Sequence, residues 1–183
     1  MSSVRHPAGP TQRRLASWLD CMPSAHVLAG LLSLQPAAWA DPADGAAQRA
    51  ALATVETFVN AMRAGDATAA AAVLHPDYRV TSWQSAGSER RLFLDTRAGE
   101  LAAISKLKSG EWEVRLLRTQ VAIDPNGMAN VWAKYEFYSF GKLEHCGFES
   151  YELFRTPHGW RIINFSDSDT PVAQVWVSRR CEG

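Results

Sequence analysis

The chain has 183 residues, of which 46% are hydrophobic and 21% charged, an ordinary balance for a globular protein; the length allows one domain with a real core, not two large ones. Nineteen basic residues meet 19 acidic ones for a formal charge of zero. Phosphate neutralisation drives nucleic-acid affinity, so the absence of a basic excess or of any Lys/Arg run argues against a nucleic-acid partner.

Residues 1–40 differ from the rest. Arg5, Arg13 and Arg14 precede an apolar stretch, 25–34, and Ala38-Trp39-Ala40 follows. Basic, apolar, then small-x-small is the order of a secretory signal peptide. The pattern predicts export to the periplasm or medium after cleavage near Ala40. The apolar stretch falls short of the roughly 20 residues a membrane span needs, so stable membrane insertion is not expected. A disordered arm, and a start at Met22, are alternatives, and Arg13-Arg14 hints at twin-arginine export. Residues 41–49 read as a leader, 50–170 as the folded domain and 171–183 as a tail. Cleavage leaves Cys146 and Cys181, which an oxidising compartment permits to pair; a bridge and two free thiols both remain open.

From Gln48 onward Leu52, Val55, Phe58, Val59 and Met62 recur at steps of three and four, one face of a helix. Gly65 supplies its stop. Asp66 can cap a short alanine-rich helix closed by His75-Pro76. Residues 78–83 read as a strand, 85–89 as a turn, and 96–108 as a third helix with Leu101, Ile104 and Leu107 in phase. Runs 111–123, 128–139, 143–155 and 160–167 then read as strands. Pro125-Asn126-Gly127, Phe140-Gly141-Lys142 and Pro157-His158-Gly159 separate them, which predicts three hairpins in an antiparallel meander. Gly147 inside one strand suggests a bulge or bend. Helices first and meander afterwards imply α+β, with three N-terminal helices packed on one face of a curved sheet.

Tyr135-Glu136-Phe137-Tyr138, Gly141-Lys142, His145-Cys146-Gly147, Tyr151-x-Leu153 and Gly159-Trp160-Arg161-Ile162 resemble the C-terminal half of nuclear transport factor 2-like domains. The branch they look most like is the lumazine-binding one, near the polyketide-cyclase-like group. The resemblance implies a cone-shaped α+β barrel with an open mouth, often dimeric through its sheet. It implies no single chemistry, since the superfamily spans isomerases, dehydratases, cyclases, simple binders and interaction modules.

Strand alternation groups Val131, Ala133, Tyr135 and Phe137 on one face, and His145, Gly147, Glu149 and Tyr151 on another. The resemblance turns both faces inward. Glu149 and His145 would then enter an aromatic pocket, where burial raises a carboxyl pKa toward the working range of a general base. Glu149 is thus the candidate base, His145 its acid or orienting partner, and Tyr135 an oxyanion donor. Tyr78 and Trp83 would line the mouth, with Phe137 and Tyr151 as further ligand-binding walls. The competing reading pairs Glu149 with Arg79, Lys134 or Arg161 and makes the aromatics plain core. Asp167 and Asp169 follow the last strand and could reach the mouth, but Ser-Asp-Ser-Asp reads first as a solvated turn. No zinc, phosphate-loop or dinucleotide motif occurs, so neither metal nor cofactor is expected.

Trp132, Tyr138, Phe148 and Phe154 fall on the opposite face, which residues 172–177 or a second subunit would cover; a homodimer is expected. The functional expectation is an exported domain that binds a small apolar or aromatic molecule. A cofactor-independent isomerase, dehydratase or cyclase using Glu149 and His145 is the alternative, and a dimerising module without ligand the third reading.

Overall fold

The computed structural model describes residues 44–171, all within one unit, Ala38–Gly183. The signal-peptide reading of residues 1–40 and the tail that follows Pro171 lie outside the described residues, while residues 44–49, read as part of a leader, belong to the first helix.

Helix α1 (Asp44–Ala64) begins ahead of Gln48 and buries Ala51, Val55 and Phe58 as its periodicity requires. It closes with the two bonds of a Schellman motif, Gly65 N–H to Met62 O at 3.1 Å and Asp66 N–H to Ala61 O at 2.9 Å, with Gly65 at φ +68°. A side chain at Gly65 would strike the Leu107 carbonyl. Asp66 then caps α2 (Ala67–Val73), its Oδ1 accepting from Thr68 N–H at 3.0 Å and Ala69 N–H at 2.9 Å.

Strand β1 (Leu74–Ala86) leaves α2 directly and pairs antiparallel with β2 (Glu89–Thr96). The sequence pattern predicts a turn here and no second strand. β2 is an edge strand, and Leu92, Phe93 and Leu94 are all exposed, so it has no buried face to betray it as alternation. Thr96 caps α3 (Arg97–Ile104), which is shorter than expected. The meander follows as β3 (Trp112–Asp124), β4 (Met128–Ser139), β5 (Lys142–Thr156) and β6 (Gly159–Pro171). Phe140 at φ 50° and Gly141 at φ 74° make the tight β4–β5 turn, both central residues being left-handed as a type I′ hairpin requires.

The sheet order is β2-β1-β6-β5-β4-β3. It is mixed, not wholly antiparallel: β1 runs parallel to β6, because α3 and the first three strands of the meander intervene before the chain returns beside β1. α1 packs over β3, β4 and β6, and α3 over β1 and β2. Phe58, Tyr78 and Tyr151 meet at the centre, Phe58 lying 6.1 Å from Tyr78 and 6.4 Å from Tyr151 between ring centroids, above Val131, Leu153 and Ile162. Burying each such side chain contributes about 1.5–3 kcal/mol. The result is α+β, a helix-covered curved sheet of the expected cone type.

Gly147 carries no bulge. The shift in β4–β5 register lies further on, where Phe137 faces His145 but Tyr138 faces Leu143, leaving Glu144 over. Gly147 is small for another reason: a Cβ there would collide with the Ser168 carbonyl of β6. His145, Gly147, Glu149 and Tyr151 therefore keep one face.

Candidate functional site

The inner face gathers carboxyls and phenols instead of a purely apolar lining. Glu149 on β5 is 2% exposed, and Tyr151 two residues on donates its hydroxyl to Glu149 Oε1 at 2.9 Å. Burial pushes the Glu149 carboxyl up to about 8, with the charge of Asp167 adding to the rise and the Tyr151 bond opposing it. Neither Arg79, Lys134 nor Arg161 answers it. The two arginines donate to the backbone carbonyls of Tyr78 and Trp160, and Lys134 lines a hollow on the outer face.

A second pair lies beside the first. Tyr135 on β4 donates to Asp167 Oδ2 at 3.1 Å and, more loosely, to Ser168 O at 3.4 Å. Burial raises the Asp167 carboxyl, while Ser82 and Tyr135 ease its ionisation. Ser82 Oγ reaches toward Asp167 without a well-aligned hydrogen bond, and it and Asp167 Oδ1 are buried without a partner. So is the Tyr78 hydroxyl, on a residue 0% exposed. Burial raises its pKa far above the ordinary phenol value, and Glu100, Asp167, Asp95 and Glu149 add to the rise in that order. Four carboxyls thus act on one orphan phenol. Glu100 projects from α3, its carboxyl pushed up to about 7 by burial, then by Asp95 and Asp167. The Asp95 carboxylate accepts from Thr96 N–H at 2.7 Å and sits where a side chain at Gly99 would have to go.

His145 does not reach Glu149. It stacks on Phe137, centroids 4.7 Å apart at 17°, and meets Tyr135 edge-on at 5.8 Å. Burial lowers its pKa against the pull of Asp169, Asp167 and Glu144. Tyr135, expected as a free donor, has its proton committed to Asp167. Tyr78, expected at the mouth, is fully buried in the core against Phe58. Trp83 faces outward, because alternation on β1 turns Ser82 in and Trp83 out; it shares the outer hollow, about 500 Å³, with Arg90, Lys134 and Phe148. Phe137 and Tyr151 lie on the inner side, Phe137 half-buried and Tyr151 fully buried against Phe58 and Phe165. No group of three or more His, Cys, Asp or Glu is placed to hold a metal among the described residues.

Sequence reasoning does not single out Glu100 or Ser82, and it assigns Asp167 to a solvated turn. Asp167 is legible in principle: alternation through Phe165 and Asp167 continues β6 where a polar run suggests a turn. Glu100 stands one turn before the buried Ile104, the signature of an inward helix position.

On the outer face Trp132 stacks on Phe148 at 5.5 Å, and both stay more than 40% exposed, as does Phe154. Arg115 lies 4.1 Å over Tyr138. Cys146 is disulfide-bonded; the chain's other cysteines, Cys21 and Cys181, lie outside the described residues. No helix among the described residues is long and apolar enough to cross a membrane.

No protein-family model matches the sequence, and neither does any curated protein. Solved structures do match the fold. An NTF2-like protein with a cystatin-like fold from Novosphingobium aromaticivorans superposes with TM-score 0.55 at 14% identity, covering 78% of this chain and 93% of its own. A Streptomyces avermitilis protein of the NTF2-like family, provisionally named a dehydratase, gives 0.54 at 17%, covering 69% and 98%. An NTF2-like protein of unknown function from Shewanella baltica gives 0.52 at 10%, covering 69% and 96%. The fold is that of nuclear transport factor 2-like proteins.

Proposed function

We propose that this domain binds a small, largely apolar molecule against the Glu149–Asp167 cluster and moves a proton on it without a cofactor, as an isomerase, dehydratase or cyclase does. The observation that carries the reading is Glu149, 2% exposed with its carboxyl raised to about 8 and a tyrosine as its hydrogen-bond donor. A plain apolar binder has no use for a carboxyl that costs stability whenever it ionises. Near neutrality Glu149 holds its proton and serves as acid. Asp167, closer to solvent, serves as base, since two carboxyls in unlike environments divide those roles. Tyr78, whose hydroxyl is uncommitted, is the donor for a developing oxyanion, in place of Tyr135. His145 orients Tyr135 and leaves the proton on its neighbours.

The provisional name of the Streptomyces neighbour is chemistry of this type. The lumazine-binding or polyketide-cyclase-like branch, export after Ala40 and a homodimer closing over Trp132 and Phe148 belong to the same proposal. The bonded state of Cys146 supports an oxidising compartment. Native mass spectrometry of protein from its own host should show a retained molecule, and in D2O the wild type should exchange an acidic C–H of that molecule. Glu149→Gln should slow exchange about a hundredfold or more; full exchange by that variant would end the proposal.

A further inference from the structure

We infer that the outer hollow beside Cys146 is occupied by the chain's own residues 172–181, pinned there by a disulfide between Cys146 and Cys181. This is separate from the inner cluster and stands or falls without it. Cys146 is disulfide-bonded, and the chain offers it two partners of its own, Cys21 and Cys181. Strand register decides between them. On β6, Thr170 lies directly across from Cys146 and Pro171 across from His145. The chain therefore reaches Pro171 beside the cysteine, and Cys181 follows about ten residues later, enough to go out and return to the roughly 5.5–6 Å between Cα atoms that a bridge needs. Cys21 lies far ahead of α1, which packs on the inner face of the sheet, while alternation turns Cys146 to the outer one. Closing a short loop also costs less chain entropy than closing a long one.

The outer face shows what the segment covers. Cys146 and Thr170, neighbours across β5 and β6, are 3% and 9% exposed, while Trp83 and Phe148, which wall the same hollow, are open to solvent. In register Trp83, Ser168, Phe148 and Lys134 form one row across β1, β6, β5 and β4. Two aromatic walls thus stand two strand spacings apart, about 10 Å, with the small Ser168 between them. Trp132 stacks on Phe148 from the β4 side, which leaves the face toward β6 unoccupied. Residues 172–177 read Val-Ala-Gln-Val-Trp-Val, apolar enough to lie against such walls. Trp176 is midway between Pro171 and Cys181, where the return must turn. Half of the loop reaches about 17 Å at most, against roughly 7 Å from Cys146 to Phe148 along β5 and roughly 10 Å across to β1. Charges match at the closing end. Arg179-Arg180 arrive beside Glu136, which faces Cys146 from β4, and Glu182 arrives beside Lys134, which makes no ion pair among the described residues. Trp132 and Phe154 are left for a second copy.

Protein isolated from its own host, alkylated without reductant, digested and read by mass spectrometry tests the bridge. The Cys146 peptide should be bonded to the Cys181 peptide. Alkylated Cys146, or Cys146 bonded to Cys21 or to a second copy, overturns the inference. Cys181→Ala should lower Tm by roughly 10 °C, the worth of a bridge across a loop of this length; an unchanged Tm counts against it equally. Hydroxyl-radical footprinting tests the cover. Oxidation of Phe148 and Trp83 should increase relative to Trp132 in Cys181→Ala, and also in Trp176→Ala, which keeps the bridge and loses only the ring at the turn. Equal oxidation in wild type and both variants means a tail that is pinned without docking, and the inference fails. Protection of Phe148 that grows with protein concentration assigns the hollow to a second copy and overturns it as well.

Discussion

Replacing Glu149 by glutamine should make the protein more stable at neutral pH. The carboxyl is raised from its ordinary 4.5 to about 8. A carboxyl raised in the fold releases its proton in the unfolded chain first. Its contribution is therefore harmless below pH 4.5, and stability is lost progressively as pH climbs toward 8. Each tenfold difference in proton affinity between the folded and unfolded chain is worth about 1.36 kcal/mol. Wild-type stability should accordingly fall by about 3–4 kcal/mol between pH 5 and pH 8 from this group alone. Glutamine has the same shape, and its carbonyl can still accept from Tyr151, so the variant should keep the contact and lose the slope. The gain at pH 7 should approach about 3 kcal/mol. Urea unfolding followed by tryptophan fluorescence at pH 5, 6, 7 and 8 reads both curves. Glu100 and Asp167, also raised, leave a residual slope in each protein, which the difference between the curves removes. Parallel curves, or a wild type more stable at pH 8 than at pH 5, would refute the claim that Glu149 is desolvated without a charge partner.

Tyr151→Phe removes the hydrogen bond to Glu149 and should cost about 1–3 kcal/mol at pH 5, while moving the Glu149 carboxyl further up in a 13C titration, since that bond opposes the rise. Gly147→Ala sets a methyl against the Ser168 carbonyl and should cost about 1–3 kcal/mol by overpacking, with faster amide exchange along β5 and β6; unchanged melting would contradict the close approach. Asp169→Ala strips one acceptor from Ser85 N–H at 2.8 Å, Ser85 Oγ at 2.7 Å and Arg90 at 3.2 Å. Hydrogen exchange should then loosen the end of the β1–β2 hairpin first, at a cost of about 1–3 kcal/mol.

The meander is readable because three hairpins carry explicit turn chemistry and long alternating runs between them. Phe58 and Val55 announce the buried face of α1 by their spacing. β2 is hidden because an edge strand with both faces wet has no pattern to show, and Arg90-Arg91 near its start mimics a solvated loop. The parallel joint between β1 and β6 is invisible for a different reason: it pairs segments some eighty residues apart, and no local signal encodes such a partner. Glu149 can be found because alternation fixes its side once Tyr135 and Tyr151 are placed. What it faces is not legible. Asp167, Glu100 and Tyr78 arrive from three other elements, and His145, on the same strand, turns to Phe137 instead.

Because β6 is inserted between β1 and β5, the last described strand to be synthesised is the one both halves of the sheet wait for. A ribosome that has not yet passed residue 159 holds a helix-and-hairpin piece and a three-strand piece with no shared strand between them, and each presents an unpaired edge. Closure of the sheet is thereby deferred until β6 has emerged. Until then those two edges are open to strand addition from a neighbouring chain, a hazard that β6 removes by pairing with both at once.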